Sequence, residues 1–172
     1  MRPLPEHRPS WLWTALLTLA VVLAFSGCQR YPSALSSDEQ IQALVLEHVV
    51  SQLLERSSAG DEPDTGLLFL SSWKTGDADT SQGVLNYVHA AFQSARPYSA
   101  AAADLSKGVF DRSSGRKGVI IRVQSLSLEG DGPFTVVATY FVEPQHGMSF
   151  EYRVQRVRGR WKILSREVTK VA

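Results

Sequence analysis

Residues 148–171 read MSFEYRVQRVRGRWKILSREVTKV, and this stretch decides the fold. Its first half alternates apolar residues, among them Phe150 and Tyr152, with polar ones, which is the period-two pattern of a half-buried strand. Arg158 to Arg160 predicts a tight turn, and Trp161 begins a second alternating segment. The stretch therefore predicts an antiparallel hairpin that buries Phe150, Tyr152 and Trp161 on one face.

Upstream of the hairpin the same alternation recurs in residues 119–128 and 134–142. Turn-forming sequences separate these segments: residues 129–133 read EGDGP, and residues 144–147 read PQHG. We therefore expect a C-terminal antiparallel meander of about four strands.

Helical patterns occupy the chain before the meander. Ser36 and Glu39 have the spacing of a capping box, and apolar residues recur at three- and four-residue steps over residues 38–56. A second, weaker helix is predicted over residues 80–94. The run LLFL, residues 67–70, is apolar throughout, so its pattern leaves a strand and a buried turn open. Helices followed by an antiparallel sheet predict an α+β domain with the helices packed on one sheet face.

This order of elements resembles cystatin-like and NTF2-like domains, in which a curved sheet forms a cone around a helix. The segments YRV, residues 152–154, and GRWKI, residues 159–163, are similar to the last hairpin of many such domains. Residues 115–123, GRKGVIIRV, also resemble a strand entry found in uncharacterised exported bacterial proteins. The resemblance covers about residues 108–171 and implies a fold, with no activity attached to it.

The beginning of the chain has the layout of an export signal. Arg2 and Arg8 precede the apolar run WLWTALLTLAVVLAF, residues 11–25, and no charged residue lies between positions 9 and 28. The run ends in Ser26–Gly27–Cys28, which resembles the lipobox of bacterial lipoproteins, with Phe25 where Leu is usual. The predicted organisation is a signal peptide at residues 1–27, a tether at residues 28–37 and a single domain at residues 38–172.

The lipobox resemblance implies that Cys28 carries fatty acid, palmitate being typical, as a diacylglyceryl thioether and becomes the mature N-terminus. Gln29, in place of Asp, implies release to the outer membrane by the enteric sorting rule. Two alternatives stay open: a plain transmembrane anchor, and an ordinary signal peptide cut near Gly27 that leaves a free thiol. All three place the domain in the cell envelope, on the periplasmic or outer-membrane side.

Composition excludes several classes of site. Hydrophobic residues make up 44% of the 172 residues, which is typical of a globular protein. Cys28 is the single cysteine, so neither an internal disulfide nor a zinc site with several cysteine ligands can form. The net charge of +1 gives no general attraction to nucleic acid. We predict no cofactor and no metal.

No motif predicts catalysis. His48, His89 and His146 lack the i, i+4 spacing of helical metal ligands, and His48 is expected to be a hydrogen-bonded histidine at the core boundary. Residues 113–115, SSG, predict a turn and not a nucleophile. The acidic residues Asp61, Glu62 and Asp64 lack the calcium-loop pattern and predict a solvated loop. The absence of motifs favours a non-enzymatic protein and leaves an enzyme open.

Charge is distributed unevenly along the chain. Residues 28–105 contain ten acidic and four basic residues, whereas residues 106–172 contain six acidic and twelve basic ones. Alternation predicts that Arg153, Lys162 and Arg166 point outward from the last hairpin and form a patch for an anionic partner, such as lipid headgroups, wall polymer or an acidic protein. The alternative is that the two halves neutralise each other inside the fold, through acidic residues such as Asp38, Glu47 and Asp61.

Three functions remain open from the sequence. The first is a membrane-anchored, non-enzymatic accessory or interaction protein. The second is a small-ligand-binding domain that uses the concave side of the sheet, which requires a pocket with a few convergent polar groups. The third is a hydrolase or isomerase on the same scaffold.

Overall fold

The computed structural model describes residues 35–60, 66–72, 78–104, 106–128, 132–143 and 146–171. The predictions for the signal peptide, for Cys28 and for most of the tether lie outside the described residues, as does the acidic loop 61–64. Every element described below belongs to one compact unit, Tyr31–Ala172.

Helices and strands alternate in the first half of this unit, and strands alone form the second half. In chain order the elements are α1 (Ser37–Ala59), β1 (Leu67–Ser71), α2 (Gln82–Ala91), β2 (Ala95–Pro97), a 3-10 turn (Tyr98–Ala100), β3 (Ala101–Asp104), β4 (Gly108–Asp111), β5 (Gly118–Leu128), β6 (Phe134–Glu143), β7 (His146–Val157) and β8 (Arg160–Val171). Six strands form one sheet in the order β2-β1-β5-β6-β7-β8, and β3 pairs with β4 in a separate sheet. The predicted α+β class is confirmed.

The predicted meander is present as β5 to β8, each strand antiparallel to the next. The expected total of about four strands is wrong, because β1 to β4 precede the meander. These strands are only three to five residues long, which is too short for alternation to be recognised. Strand β1 also pairs in parallel with both β2 and β5, and a strand buried on both faces has a continuous apolar sequence.

Local interactions define both ends of helix α1. The Ser36 hydroxyl accepts a hydrogen bond from the Glu39 backbone N–H (3.3 Å), and the Ser36 N–H donates to a Glu39 carboxylate oxygen (2.8 Å). The predicted capping box is therefore confirmed. At the other end Gly60 has a φ of 82°, a left-handed conformation that favours glycine and ends helices. The helix is longer than the predicted 38–56 by one residue at its start and three at its end.

Helix α2 is shorter than the predicted 80–94. Its first turn is capped by the Ser81 hydroxyl, which accepts from the Val84 N–H (3.4 Å), and the backbone becomes extended at Phe92. Gly83 has a packing role, because a Cβ at this position would lie 2.6 Å from Leu35 Cδ2. The missing side chain lets α2 pack closely on the residues that precede α1.

The main hydrophobic core lies between α1 and the sheet. The buried apolar residues of α1 with large side chains are Ile41, Val45, Leu46, Val49, Val50 and Leu53. Strand β1 contributes to two cores: Leu68 and Leu70 belong to the main one, whereas Leu67 and Phe69 face a smaller cluster with Ala101 and Val109. The run 67–70 is therefore a strand covered on both faces.

The aromatic residues of the last hairpin differ in burial. Phe150 and Tyr152 are buried as predicted, at 4% and 0% exposure. Trp161 is only partly buried and contacts Phe134 edge-on, with ring centroids 5.5 Å apart. Its burial falls short of the prediction because it lies opposite Arg156, beyond the start of β6.

Candidate functional site

The β7–β8 hairpin extends beyond the rest of the sheet. Strand β6, the inner neighbour of β7, begins at Phe134, so residues 155–157 pair only with β8. Arg158 and Gly159 connect the two strands with φ values of 52° and 79°. Two positive φ values are typical of the type I′ turn, whose twist matches that of the flanking strands. The tight turn predicted from the sequence is confirmed.

Five exposed cations lie on this extension or directly before it, and we call them the cationic tip. They are Arg153, Arg156, Arg158, Arg160 and Lys162. No acidic residue occurs between Tyr152 and Arg166 in the sequence. Arg156 Nε donates to the Gly159 carbonyl (3.3 Å), whereas Arg153, Arg158 and Lys162 make no ion pair and no side-chain hydrogen bond within the described ranges. At least three charges of the tip are therefore not neutralised by the described part of the fold.

The predicted patch of Arg153, Lys162 and Arg166 is not one surface. Arg153 and Lys162 lie on the face of the hairpin that points away from α1. A β-bulge next to Arg153 adds one residue to β8 and shifts its alternation. Arg166 therefore lies opposite the buried Tyr152, on the face of the sheet that carries α1. It is exposed, as predicted, but it does not share a face with Arg153 and Lys162.

Arg166 instead bridges the sheet and α1. Its Nη1 donates to Gln52 Oε1 (2.6 Å), and its guanidinium lies 5.4 Å from the centroid of the Phe150 ring. None of the three predicted patch cations pairs with an acidic residue in the part of the chain that is described, and Asp61 lies outside that part. The internal neutralisation considered from the sequence is not seen for these cations.

Helix α1 runs antiparallel to β7. His48 Nδ1 lies 3.4 Å from the Tyr152 hydroxyl, and about two turns further along the helix Arg56 Nη1 lies 3.5 Å from Met148 Sδ. A helix rises 1.5 Å per residue and a strand about 3.3 Å per residue. The distance along α1 from His48 back to Ser37 and the distance along β7 from Tyr152 forward to the tip are therefore both about 16 Å. Because α1 and β7 are antiparallel, both distances run in the same direction. The cationic tip and the start of α1 are therefore at the same end of the domain.

At the other end α1 and the sheet border a cavity of about 300 Å³, which we call the helix–sheet cleft. It is lined by Val49, Gln52, Leu53, Arg56, Tyr140, Met148, Phe150, Arg166 and Val168. The sequence did not indicate Gln52 and Arg56, because polar residues on an amphipathic helix are usually solvated. Their neighbour Arg166 is 114 positions from Gln52, so no local signal was present to find the site.

His48 and Tyr152 meet between α1 and β7. Their rings pack edge to face with centroids 5.5 Å apart. Burial lowers the pKa of His48, the positive charge of Arg166 lowers it further, and Glu55 opposes the shift. Burial raises the pKa of Tyr152 to about 12. Both groups are therefore neutral at neutral pH, in agreement with the boundary histidine predicted at position 48.

Because His48 resists protonation in the fold, the free energy of unfolding should fall as the pH drops below 6.5, the ordinary pKa of histidine. Below this pH the unfolded chain takes up a proton on His48 that the folded chain does not. The state that binds more protons is stabilised as the pH falls, so the unfolded state is favoured. His48→Gln should flatten this dependence between about pH 7 and about pH 5. Urea unfolding at a series of pH values measures it. The exposed His89 provides the control, and an equal flattening by His89→Gln would contradict the assignment.

The two serines of the predicted turn both form hydrogen bonds to one carboxylate. The hydroxyls and backbone N–H groups of Ser113 and Ser114 all donate to Asp111 Oδ1, at 2.5 to 3.0 Å. These bonds, the Ser113 hydroxyl foremost, lower the pKa of Asp111 to about 2. Both hydroxyl protons are thus directed to a group that is ionised at neutral pH and is a weak base. The turn predicted for residues 113–115 is confirmed.

Comparison with known proteins gives no family assignment, since no family model, no curated protein and no solved structure matches the chain. Within the described ranges, no group of three or more histidine, cysteine or acidic side chains is arranged to hold a metal ion. In the same ranges, no helix combines the length and the apolar character needed to cross a bilayer.

Proposed function

We propose that this protein is a lipoprotein of the bacterial cell envelope that acts as a non-enzymatic interaction protein at an anionic membrane surface. In this proposal Cys28 carries the lipid and residues 28–37 form the tether. The observation that carries the proposal is the position of the cationic tip, at the same end of the domain as the start of α1.

The short tether strengthens this argument. Positions 28 to 37 span at most about 32 Å, at about 3.5 Å per residue. A lipid on Cys28 would therefore keep the start of α1 close to the headgroups. The tip is at the same end, so its cations would lie within reach of the same membrane surface.

Electrostatics gives the tip a role in orienting the domain. A Lys or Arg close to an anionic membrane contributes about 1 kcal/mol, and the attraction decays within a Debye length. Such a contribution is weak compared with insertion of acyl chains, to which each methylene adds about 0.8 kcal/mol. The lipid would hold the protein at the membrane, and the tip would determine which face of the domain is turned outward.

The proposed fold is a cone, and the proposed location is the outer membrane. The packing of α1 on one face of an antiparallel meander supports a cystatin-like or NTF2-like cone. Gln29 supports an outer-membrane location. The helix–sheet cleft, whose lining includes Gln52 and Arg166, supports small-ligand binding as a second function.

The chain from Gln29 onward, which lacks any lipid, should bind vesicles that contain phosphatidylglycerol at low salt and should not bind phosphatidylcholine vesicles. Replacing Arg153, Arg158 and Lys162 together by Gln should remove most of the binding, because these charges face the headgroups. Salt at about 1 M, where the Debye length is about 3 Å, should have the same effect. Vesicle co-sedimentation measures both.

A matched control removes the same charge elsewhere. Lys107, Arg116 and Lys170 are exposed and lie outside the tip, so their joint replacement by Gln should leave vesicle binding nearly unchanged. An equal loss in both triple variants would mean that net charge and not the tip is responsible. Binding to acidic wall polymer in the absence of vesicle binding would contradict the membrane proposal and indicate a different partner class.

A further inference from the structure

The face of the sheet that is turned away from α1 carries a cavity of about 280 Å³, which we call the outer-face pocket. It lies where β5 to β8 run side by side, and the side chains that line it form two rows across these strands. One row is apolar and consists of Ile120, Phe141 and Gly147. Phe141 is 37% exposed, Ile120 is partly exposed, and Gly147 has no side chain that would cover the Phe141 ring. The pocket therefore presents apolar surface to a ligand.

The second row is polar and lies directly beside the first. Its members are Cα partners from strand to strand across β5, β6, β7 and β8: Arg122, Thr139, Ser149 and Lys170. Thr139 and Ser149 are partly exposed, and their hydroxyls make no hydrogen bond within the described ranges. Lys170 is exposed and makes no ion pair in the same ranges. Adjacent strands are about 4.8 Å apart, so the Lys170 ammonium can reach an anion that lies over the two hydroxyls.

The charged residues around the pocket favour a ligand with one negative charge. Arg122 ends the polar row at β5, and the central carbon of its guanidinium lies 5.7 Å from the centroid of the Tyr98 ring. It therefore adds positive potential to the pocket while it keeps that contact. No acidic side chain lines the pocket, but Glu151 and Glu167 are Cα partners on the same face, two residues beyond Ser149 along β7. These two carboxylates would repel a ligand that carries several negative charges.

We propose that the outer-face pocket binds a small aromatic monocarboxylate such as benzoate. The carboxylate would accept hydrogen bonds from the Thr139 and Ser149 hydroxyls and from the Lys170 ammonium, and hydrogen bonds to an ionised acceptor are the stronger ones. The ligand ring would lie over Ile120 and against the Phe141 ring. The two rows are about 7 Å apart along the strands, so benzoate can place one end on each. The pocket lies at the end of β7 away from the cationic tip and on the opposite sheet face from the helix–sheet cleft, so this inference is independent of membrane docking.

Benzoate titration of the chain from Gln29 onward, at constant ionic strength and followed by two-dimensional NMR, tests the pocket. This chain contains the whole compact unit, Tyr31–Ala172. We expect saturable shifts of the Ile120 and Thr139 methyl groups and of the Ser149 amide. Benzamide, which has the same shape without the charge, should bind about tenfold more weakly, because a hydrogen bond to a charged group is stronger than one to a neutral group.

Two variants each remove one donor from the polar row. Thr139→Val keeps the shape of the side chain and deletes the hydroxyl, so it should weaken benzoate binding about tenfold. Lys170→Gln should weaken it about fivefold, a smaller effect because solvent screens an exposed charge. The matched control is Lys162→Gln, since Lys162 is also an exposed lysine on the outer face of β8 but lies at the cationic tip. Its replacement should leave the benzoate affinity unchanged.

Four results would overturn the proposal. Benzoate would then bind no more tightly than benzamide, or it would bind Thr139→Val as tightly as the parent. An equal loss in Lys170→Gln and Lys162→Gln would mean that net charge and not the polar row attracts the ligand. Shifts centred on the methyl groups of Val49 and Leu53, which line the helix–sheet cleft, would place the ligand on the other face of the sheet.

Discussion

Replacing Cys28 by Ala should abolish fatty-acid incorporation. Cys28 is the single cysteine of the chain, and a thioether requires its sulfur, so no other residue can take the lipid. The expected effect is complete loss of the label, because the lipid has no second attachment site. Metabolic labelling with a fatty acid measures it.

The control is Ser26→Ala, which keeps two small residues before the cysteine and should keep the label. A Cys28→Ala variant that still incorporates fatty acid would contradict the lipoprotein assignment. An unlabelled parent protein that stays in the membrane would indicate that residues 11–25 form a plain transmembrane anchor. A mature thiol that reacts with maleimide would indicate an ordinary signal peptide cut near Gly27.

Phe69→Ala should lower the free energy of unfolding by about 3–5 kcal/mol. Phe69 is fully buried on the face of β1 that is turned away from α1. It packs there with Ala101 and Val109, which belong to the small β3–β4 sheet. Deleting the ring would leave a cavity that this short sheet is poorly able to close. Since domains of this size are stable by only about 5–15 kcal/mol, urea unfolding should show a large decrease in the midpoint.

Phe141→Ala is the matched control for this prediction. Phe141 is also a phenylalanine in a strand of the large sheet, but it is 37% exposed. Its replacement should cost clearly less, because part of its surface is already in contact with water. A loss for Phe69→Ala no larger than that for Phe141→Ala would contradict the stabilising role assigned to the smaller cluster.

Predictions that depend on nearby residues agree best with the structure. The capping box at Ser36 and Glu39 is formed by groups three positions apart, and the turn at Arg158 and Gly159 depends on two backbone angles. The alternation of β5 to β8 has the same local origin, because successive side chains of a strand point to opposite faces. For this reason the helix–meander layout and the concentration of cations in the last hairpin were predictable from the sequence.

Strand β1 shows where local pattern was insufficient. Its side chains are buried on both faces, so the residues show no alternation by which a strand is recognised. Its partners β2 and β5 lie in parallel on either side. Parallel strands are joined by long connections and not by short turns with a recognisable sequence. The number of strands was therefore underestimated.

The sequence by itself determined α1 and the C-terminal meander of this protein, and only the tertiary structure decided how their faces combine. One bulge in β8 turned Arg166 toward α1, since a single extra residue moves all later side chains to the opposite face. Gln52 and Arg166, 114 positions apart, meet only after α1 has packed on the completed sheet. Capping and turn formation depend on a few neighbouring residues, whereas strand register and helix packing depend on the free energy of the whole domain.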